Sequence, residues 1–391
     1  MAHVLIGFAE ALPAPEVVFS LLAGGHRVSA FTRSENLPLA RLPLEKIHTL
    51  PAPEESVHES CKALMLIMKS NESPDIILPL DDTGLWLVNT ALGDDPRSAG
   101  AMGPQAQVAL DKALQIQAAI RAGMSVPETT VVRRPADLDG DFEIPAIAKP
   151  ALAVRARYGR LGKGDATYLL DETGTQTFKA GLSEDMEPLL IQPLIAGVGE
   201  GVFGYADATG VVAWSGHERI RMMNPHGSGS SACKSAQPSK GLQDQISAFV
   251  KDVGWHGPFM IELLRDSDGT HWFMELNGRM WGSLALARRQ GLEYPAWAVA
   301  QTLDSDFVPR LPAEIPSQLV QRNLGRELLH LLFVLKGPKS AFHRAGWPRI
   351  WTSLSGVLRP THPRSFYNYD PRYPGYFLRD AIWTIRRALR R

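Results

Sequence analysis

The chain has 391 residues, of which 45% are hydrophobic and 21% charged, with as many acidic as basic side chains. That length exceeds one typical compact core, so two or three domains are expected, and the composition excludes disordered and fibrous proteins. With only two cysteines, Cys61 and Cys233, a disulfide framework is excluded and a reducing, cytoplasmic compartment is favoured.

The N-terminus and the charge distribution bear on location. No basic segment precedes the first apolar stretch, which Glu10 interrupts, so no signal peptide is expected. No apolar run approaches the roughly 18 residues needed to span a bilayer. The segment from Val320 to Arg391 carries a net charge of +11, so the rest of the chain is acidic. This asymmetry indicates that the last segment contacts something anionic.

Strands and helices are predicted to alternate through the first hundred residues: strands His3–Phe8, Arg27–Thr32 and Asp75–Leu80, and helices Pro15–Ala23 and Glu55–Lys69. This order predicts a small parallel α/β domain over residues 1–105. Gly7 is not followed by the other glycines of a dinucleotide-binding fingerprint, which favours a scaffold. Asp81 and Asp82 follow the third strand, where ligands bind in such sheets, and a substrate role for them is the alternative.

A basic, glycine-bearing loop is the main feature of the next segment. It follows a predicted helix, Asp111–Arg121, and predicted strands at Thr129–Arg133 and Ile144–Lys149, and it runs from Arg157 to Gly164. Exposed amides beside basic side chains suit a phosphate, although ordinary hairpin loops have the same composition. Lys149 ends an apolar strand, and a buried lysine needs an anionic partner.

Three strands are then predicted, Leu189–Leu194, Val202–Tyr205 and Gly210–Ser215. The alternation that follows places His217, Arg219 and Arg221 on one face, ahead of a small-residue loop from Gly227 to Cys233. A satisfied sheet histidine is the other interpretation of His217.

The hairpin around Asp268–Gly269 predicts a metal site. An Asp-Gly pair between apolar runs is typical of a two-residue turn, and a turn centred there places Glu262 opposite Glu275 and Met260 opposite Asn277. Opposed side chains have β-carbons about 5 Å apart, where like charges repel. Two carboxylates and an amide on one face therefore call for a cation, and Mg²⁺ prefers such oxygen ligands. A solvent-exposed acidic hairpin is the alternative.

In this order the motifs resemble the ATP-grasp superfamily, in its branch like the large subunit of carbamoyl phosphate synthase. The resemblance covers roughly residues 1–305, and its most specific part is the stretch Met274-Glu275-Leu276-Asn277-Gly278-Arg279-Met280-Trp281-Gly282-Ser283. It implies an α/β (α+β) fold with a Rossmann-like domain over 1–105, a nucleotide-binding catalytic domain over 106–305, and a basic, aromatic extension over 306–391.

The resemblance also implies roles for matching residues. Lys112 and Lys149 contact the nucleotide phosphates, and a lid with Arg157, Gly159, Gly162 and Gly164 closes over them. The backbone at Gln192 and Leu194 reads adenine, and Glu200 holds the ribose. Glu262, Glu275 and Asn277 bind one or two Mg²⁺ ions, for which Mn²⁺ can substitute, and Arg279 stabilises the transferring phosphoryl group. His217, Arg219 and Arg221 hold an acidic substrate. Gln192-Pro193, Lys234 and Gly278 depart from the usual pattern of the branch.

The function implied is an ATP- and magnesium-dependent ligase that joins a carboxylate to an amine through an acyl phosphate. Two alternatives stay open: a small-molecule kinase with the same ATP site, and a nucleotide-binding module that acts through its basic tail. The partners expected are a small-molecule carboxylate and amine, with no nucleic acid, and a homodimer is compatible with the sequence.

The end of the chain, Phe377 to Arg391, is predicted to be an amphipathic helix. Its apolar stripe comprises Phe377, Leu378, Ala381, Ile382, Ile385, Ala388 and Leu389, and its basic face comprises Arg379, Arg386, Arg387, Arg390 and Arg391. Two interpretations remain: the helix packs on the acidic body, or it lies peripherally in an anionic membrane interface.

Overall fold

A computed structural model describes residues 1–138, 142–227, 229–344, 346–359 and 365–389. Residues 1–110 begin with a four-stranded parallel sheet in the order β3-β2-β1-β4; the alternation predicts three of these strands, and β3 is an additional one. Asp81 caps α3, where its side chain accepts a hydrogen bond of 2.7 Å from the Gly84 amide. The elements are β1 (His3–Gly7), α1 (Ala14–Ala23), β2 (Arg27–Thr32), β3 (Ile47–Thr49), α2 (Val57–Met68), β4 (Ile76–Pro79), α3 (Asp82–Leu92) and α4 (Gly103–Leu110).

A small antiparallel sheet in the order β5-β10-β6-β9 follows, with a separate two-stranded hairpin, β7–β8. Asp111 caps α5, because its carboxylate accepts from the Ala113 amide at 2.8 Å, and this capping sets the position of Lys112. The elements are α5 (Lys112–Arg121), β5 (Thr130–Val132), β6 (Ala146–Pro150), β7 (Arg155–Arg157), β8 (Arg160–Gly162), β9 (Thr167–Leu169), α6 (Glu172–Ala180) and β10 (Leu189–Pro193).

The largest sheet has six strands in the order β15-β14-β11-β12-β13-β16. Its strands β11 and β12 are longer than the sequence predicts, and β16 comes from the segment predicted to be an extension. The elements are β11 (Val198–Asp207), β12 (Gly210–Met222), β13 (Ser230–Ser235), α7 (Lys240–Asp252), β14 (Gly257–Arg265), β15 (His271–Asn277), α8 (Leu284–Arg289), α9 (Tyr294–Leu303), β16 (Val320–Arg322), α10 (Leu324–Lys336), α11 (Ala341–Arg344), α12 (Ile350–Leu358) and α13 (Pro374–Leu389).

One hydrophobic core joins three parts of the chain. Phe19 of α1, Phe203 of β11 and Tyr376 of α13 are buried in the same cluster. The first sheet, the six-stranded sheet and the C-terminal segment therefore meet around shared apolar surface. The boundaries 1–105, 106–305 and 306–391 stay predictions.

The β14–β15 hairpin has the predicted pairing but not the predicted turn. Glu262 lies opposite Glu275 and Met260 opposite Asn277, as expected. The two-residue turn is wrong: Arg265 pairs with His271, and the Asp266 carboxylate organises the five-residue connection by accepting from the amides of Asp268 and Thr270. A bulge between Glu262 and Leu263 then offsets the shift near the turn.

Candidate functional site

The two opposed carboxylates of the hairpin are each neutralised by a cation from another element. The Lys112 ammonium, at the first turn of α5, lies 3.1 Å from the Glu275 carboxylate. The Arg219 guanidinium of β12 contacts Glu262. Burial opposes ionisation of Glu275, but Lys112 and Arg279 outweigh it and the pKa of Glu275 is lowered. The Glu275 carboxylate is therefore anionic at neutral pH, and each of the two carboxylates is held in place by its cationic partner.

The donor set suits a hard divalent cation. Asn277 donates its side-chain nitrogen to the Met260 sulfur at 3.1 Å, which leaves its carbonyl oxygen as the group able to ligate. Among the residues the structure describes, no group of three or more His, Cys, Asp or Glu side chains is arranged to hold a metal. Two carboxylates and an amide oxygen nevertheless match the oxygen ligands of Mg²⁺, which retains water and substrate oxygens as further ligands.

Lys149 is a buried cation near the same carboxylates. Burial and the neighbouring Lys112 lower its pKa to about 8, and Glu275 and Glu262 counteract this only partly. A buried ammonium with too little negative charge around it favours an added anion such as a phosphate. The sequence singled out Lys149 because it ends an apolar strand, and the structure places it at the end of β6.

Arg279 follows β15 and is fixed by Asp82, the first residue of α3. Its guanidinium lies 3.0 Å from Asp82, and the Lys163 ammonium lies 3.6 Å from the same carboxylate. Burial opposes ionisation of Asp82, but these two cations hold its pKa below the usual range. Asp82 therefore positions Arg279. The sequence left open whether Asp82 belongs to a scaffold or contacts the substrate, and holding a site residue in place is intermediate between these two roles.

The predicted lid is the β7–β8 hairpin, and it rests on the first domain. Tyr158 and Gly159 form its tip with positive φ angles of 51° and 72°. The Gly159 carbonyl accepts from the Val57 amide, and the Leu161 amide donates to the Pro53 carbonyl, both at 2.8 Å. Lys163 at the base reaches Asp82 and Gly164 lies beside it in a cavity of about 200 Å³ with Lys112 and Arg279. The hairpin is therefore anchored to residues 53–57, and Lys163 and Gly164, which follow it, line the cavity that also contains Lys112 and Arg279.

Three residues assigned to the nucleotide or its lid make other contacts, Arg157 and Gln192 through their side chains and Leu194 through its amide. Arg157 pairs with Asp185. The Leu194 amide donates to the Pro145 carbonyl at 3.0 Å, and the Gln192 side chain donates to Thr129 at 2.8 Å. The Leu194 amide is thus occupied, so adenine recognition through it requires displacement of Pro145.

Glu200 is not brought to the cluster. It pairs in register with Leu263 and Glu218, one position away from the Gly201–Glu262 pair, so its side chain leaves the opposite face of the sheet. Arg265 and His271 hold its carboxylate at 2.6 and 3.1 Å. The resemblance alone had assigned this residue to the ribose, and the strand register does not support the assignment.

The predicted common face of His217, Arg219 and Arg221 is wrong. Arg219 pairs with Cys233 but Arg221 pairs with Ala232, so Ile220 is an extra residue that reverses the alternation. Arg221 instead binds the buried Glu327 of α10 at 2.6 Å. The bulge thus separates two arginines that the sequence placed together.

His217 and Arg219 line a cavity of about 300 Å³ together with Glu262, Glu275 and Arg279. Burial and the Arg219 charge lower the pKa of His217 to about 3, so its ring is neutral at physiological pH. Its Nδ1 lies 2.7 Å from the Ser283 hydroxyl, while its Nε2 and the Arg219 Nε are buried without a hydrogen-bond partner among the described residues. Buried polar atoms of this kind call for a polar ligand.

The sequence missed two polar side chains of this cavity, those of Arg326 in α10 and of Tyr367. The only local signal is Asn323, which caps α10 by accepting from the Arg326 amide at 2.9 Å and so predicts a helix start. Of the small-residue loop, Gly229 and Ser230 line the cavity, and Ser228 lies outside the described residues.

The C-terminal helix α13 packs on the body, in agreement with the first of its two interpretations. Tyr376 and Ala381 are its buried residues, and α13 lies against α10. The predicted stripe is partly wrong, because Leu378 and Ile382 are 60% and 49% exposed. Arg390 and Arg391 lie outside the described residues. No helix in the described ranges has the length and apolarity needed to cross a membrane.

Comparisons by sequence find no relatives: no family model matches the chain, and no curated protein does. The fold, in contrast, has similar solved structures. The L-amino acid ligase from Bacillus licheniformis has a TM-score of 0.60 at 16% identity, over 78% of this chain and 75% of that one. N5-carboxyaminoimidazole synthetase from Staphylococcus aureus has a TM-score of 0.61 at 15% identity, over 86% and 87% of the two chains. The biotin carboxylase domain of Hydrogenobacter thermophilus 2-oxoglutarate carboxylase, solved with MgADP, ADP and bicarbonate, has a TM-score of 0.62 at 11% identity, over 82% and 73%.

Proposed function

We propose, given that the chain has the ATP-grasp fold of the proteins just compared, that it is an ATP- and magnesium-dependent ligase joining a carboxylate to an amine. The observation that carries the proposal is the register pairing of Glu262 with Glu275 beside Lys149 and Arg279. These residues combine oxygen ligands for a cation with positive charge for phosphates. Phosphoryl transfer asks a protein mainly for such alignment and charge neutralisation.

The nucleotide phosphates would bind among Lys112, Lys149 and Arg279, beneath the β7–β8 hairpin as the lid. Lys112 and Lys149 would bind phosphate oxygens, and Glu262, Glu275 and Asn277 would hold Mg²⁺, which neutralises phosphate charge when bound. Phosphate binding would release Lys112 from Glu275, so each carboxylate would exchange a side-chain cation for the metal. The lid, held to the first domain, would exclude water from the transfer.

The substrate acid would lie in the 300 Å³ cavity. Its carboxylate oxygen attacks the terminal phosphorus of ATP, ADP leaves, and an acyl phosphate results. The amine nitrogen then attacks the carbonyl carbon, loses a proton, and expels inorganic phosphate. Arg279 would stabilise the charge that develops on the transferring group. His217 is neutral, so it would orient the substrate by hydrogen bonding, and Arg219 would supply the charge.

An ADP-release screen over pairs of carboxylic acids and amines, with and without hydroxylamine, tests the proposal. A ligase releases ADP with paired substrates and yields a hydroxamate when hydroxylamine replaces the amine. A stable phosphoester would identify the kinase alternative. No ADP release from any pair would leave the alternative that the chain is a non-catalytic nucleotide-binding module.

A matched pair of variants ties the result to the site. Glu275→Gln should abolish ADP release, whereas Asp252→Asn, which removes a carboxylate paired with Arg121 at the surface, should not change it. Equal activity of the two variants would contradict the proposed metal site. A cytoplasmic location, substitution by Mn²⁺ and a homodimer remain predictions from the sequence.

A further inference from the structure

A second cavity, of about 570 Å³, lies beside the active-site cavity. It is formed by α10, α13 and the turn that carries Pro38 and Leu39, so the C-terminal segment and the first domain build it together. Its apolar lining comprises Leu37, Leu39, Leu329, Phe333 and Trp383. A cavity of this volume with apolar walls is typical of a site for a small organic ligand.

Arg326 lines both cavities and is the polar group at their junction. Its guanidinium donates to the Ser230 carbonyl at 3.1 Å. Within the described part of the chain, no carboxylate lies within ion-pair distance of it, unlike Arg219, Arg279 and Arg221. Burial lowers the pKa of Arg326, and the charges of Tyr367 and of Asp380, which lies beyond ion-pair distance, raise it only partly. A buried guanidinium without an acidic partner gains more than a surface one from an incoming anion.

The two acidic residues of the second cavity already have polar partners, although the buried Glu10 Oε2 has no hydrogen bond among the described residues. Asp380 accepts from Asn368 at 2.6 Å and from Tyr376 at 3.2 Å. Glu10 accepts from Thr32 at 2.7 Å and lies 3.8 Å from Arg33. The cationic junction therefore favours a carboxylate over an ammonium group as the polar end of the ligand.

We infer that the second cavity holds the apolar chain of the acid that the enzyme activates, with Arg326 pairing to its carboxylate. The inference rests on the proposed ligase function and names the substrate class: an aliphatic or aryl carboxylic acid with a large apolar body. The carboxyl group lies in the active-site cavity, on the side of Glu262 and Glu275, and the chain extends between α10 and α13.

Binding measured without turnover tests this. Straight-chain carboxylates of two to twelve carbons are titrated into the full-length protein by calorimetry, with the primary alcohol of each length as control. Each methylene buried should tighten binding by roughly fourfold until the cavity is filled. The alcohol should bind more weakly, and Arg326→Gln should remove most of the difference between acid and alcohol.

Filling the cavity provides the matched comparison. Ala388→Trp places a bulky ring in the lining, and Thr384→Phe does so at a second position should the first variant fail to fold. Either variant should abolish the increase in carboxylate affinity with chain length. Leu378→Trp on the exposed side of the same helix should leave it intact. Thermal unfolding of each variant confirms that it is folded.

The outcomes separate the inference from the proposed function. Affinity that does not depend on chain length, or that depends on it equally in the filled variants, overturns the inference even if short acids drive ADP release. A chain-length dependence seen for amines and not for acids also overturns it. Absence of ADP release from every substrate pair overturns the ligase function instead, and with it the assignment of the bound acid as substrate.

Discussion

Arg219 and Arg221 stand two residues apart on β12, yet they belong to clusters of different kinds. Arg219 contacts Glu262, whose side chain is 26% exposed and lines a cavity. Arg221 binds Glu327, whose side chain is fully buried and also accepts from Arg322 and Ser231. The first carboxylate can exchange its partner for a ligand, and the second cannot. Access to a cavity, rather than the presence of an acid–arginine pair, distinguishes the site from the scaffold.

The largest expected effect is on the scaffold cluster. Glu327→Gln removes the charge that compensates two buried guanidinium groups, so the free energy of unfolding should fall by about 3–5 kcal/mol. Urea denaturation measures this. Mg·ATP affinity of the folded fraction should be unchanged. A loss of nucleotide binding without a loss of stability would break the distinction drawn between the two clusters.

The converse is expected at the site cluster. Glu275→Gln should lower ATP turnover by at least about 100-fold, since even residues around a metal ligand contribute that much. Its effect on unfolding should stay within about 1 kcal/mol, because the Lys112–Glu275 pair is partly exposed. Steady-state kinetics and denaturation on the same preparation test both statements. Destabilisation as large as that of Glu327→Gln would assign Glu275 to the scaffold.

The pH dependence of nucleotide binding sharpens the role of Lys149. Its pKa of about 8, lowered by burial, means that the cation is present below that pH and is lost above it. The dissociation constant of Mg·ATP should therefore rise by about tenfold as the pH is raised past 8, which is the contribution of one charge-assisted hydrogen bond. Lys149→Arg stays charged and should give a flat profile. A rise of the same size in that variant would place the titrating group elsewhere.

The smallest effect is expected at the start of α10. Asn323→Ala removes the cap of the helix that carries both Arg326 and Glu327, at a cost of about 1 kcal/mol in stability. Asn323→Asp keeps an acceptor and should restore most of it. Thermal denaturation of the two variants measures the difference, and a loss of several kcal/mol in the alanine variant would mean that the cap also fixes the buried charges.

Features that depend on contacts between residues close together in the sequence could be predicted, and features that depend on contacts between distant residues could not. The strands and helices of the first hundred residues and the Glu262–Glu275 pairing rest on local alternation, and the structure has them. The common face of Arg219 and Arg221 failed because one extra residue, Ile220, reverses the alternation, and nothing in the local pattern marks a bulge. Asp82 as the partner of Arg279 is separated from it by 197 positions, so no periodicity could join them.

The C-terminal segment was predictable only as helices and charge. β16 joins the largest sheet by pairing with β13. A strand of three residues is too short to show the alternation that would predict it. The exposed Leu378 and Ile382 show the same limit of prediction from sequence. The sequence predicts an apolar stripe, but the elements next to α13 in the fold bury a different face of the helix. Arg326 therefore remained hidden until the fold placed α10 beside the cavity.

The two hydrogen bonds between the β7–β8 hairpin and residues 53–57 join main-chain atoms of Pro53 and Val57 to main-chain atoms of Leu161 and Gly159. These two hydrogen bonds do not depend on the side chain of Val57, whereas Gly159 keeps a positive φ of 72° and Leu161 is buried. Insertions or deletions in either segment would shift the hydrogen-bond donors relative to the acceptors and break these two hydrogen bonds. Length, rather than identity, is the property of residues 53–57 that selection should preserve.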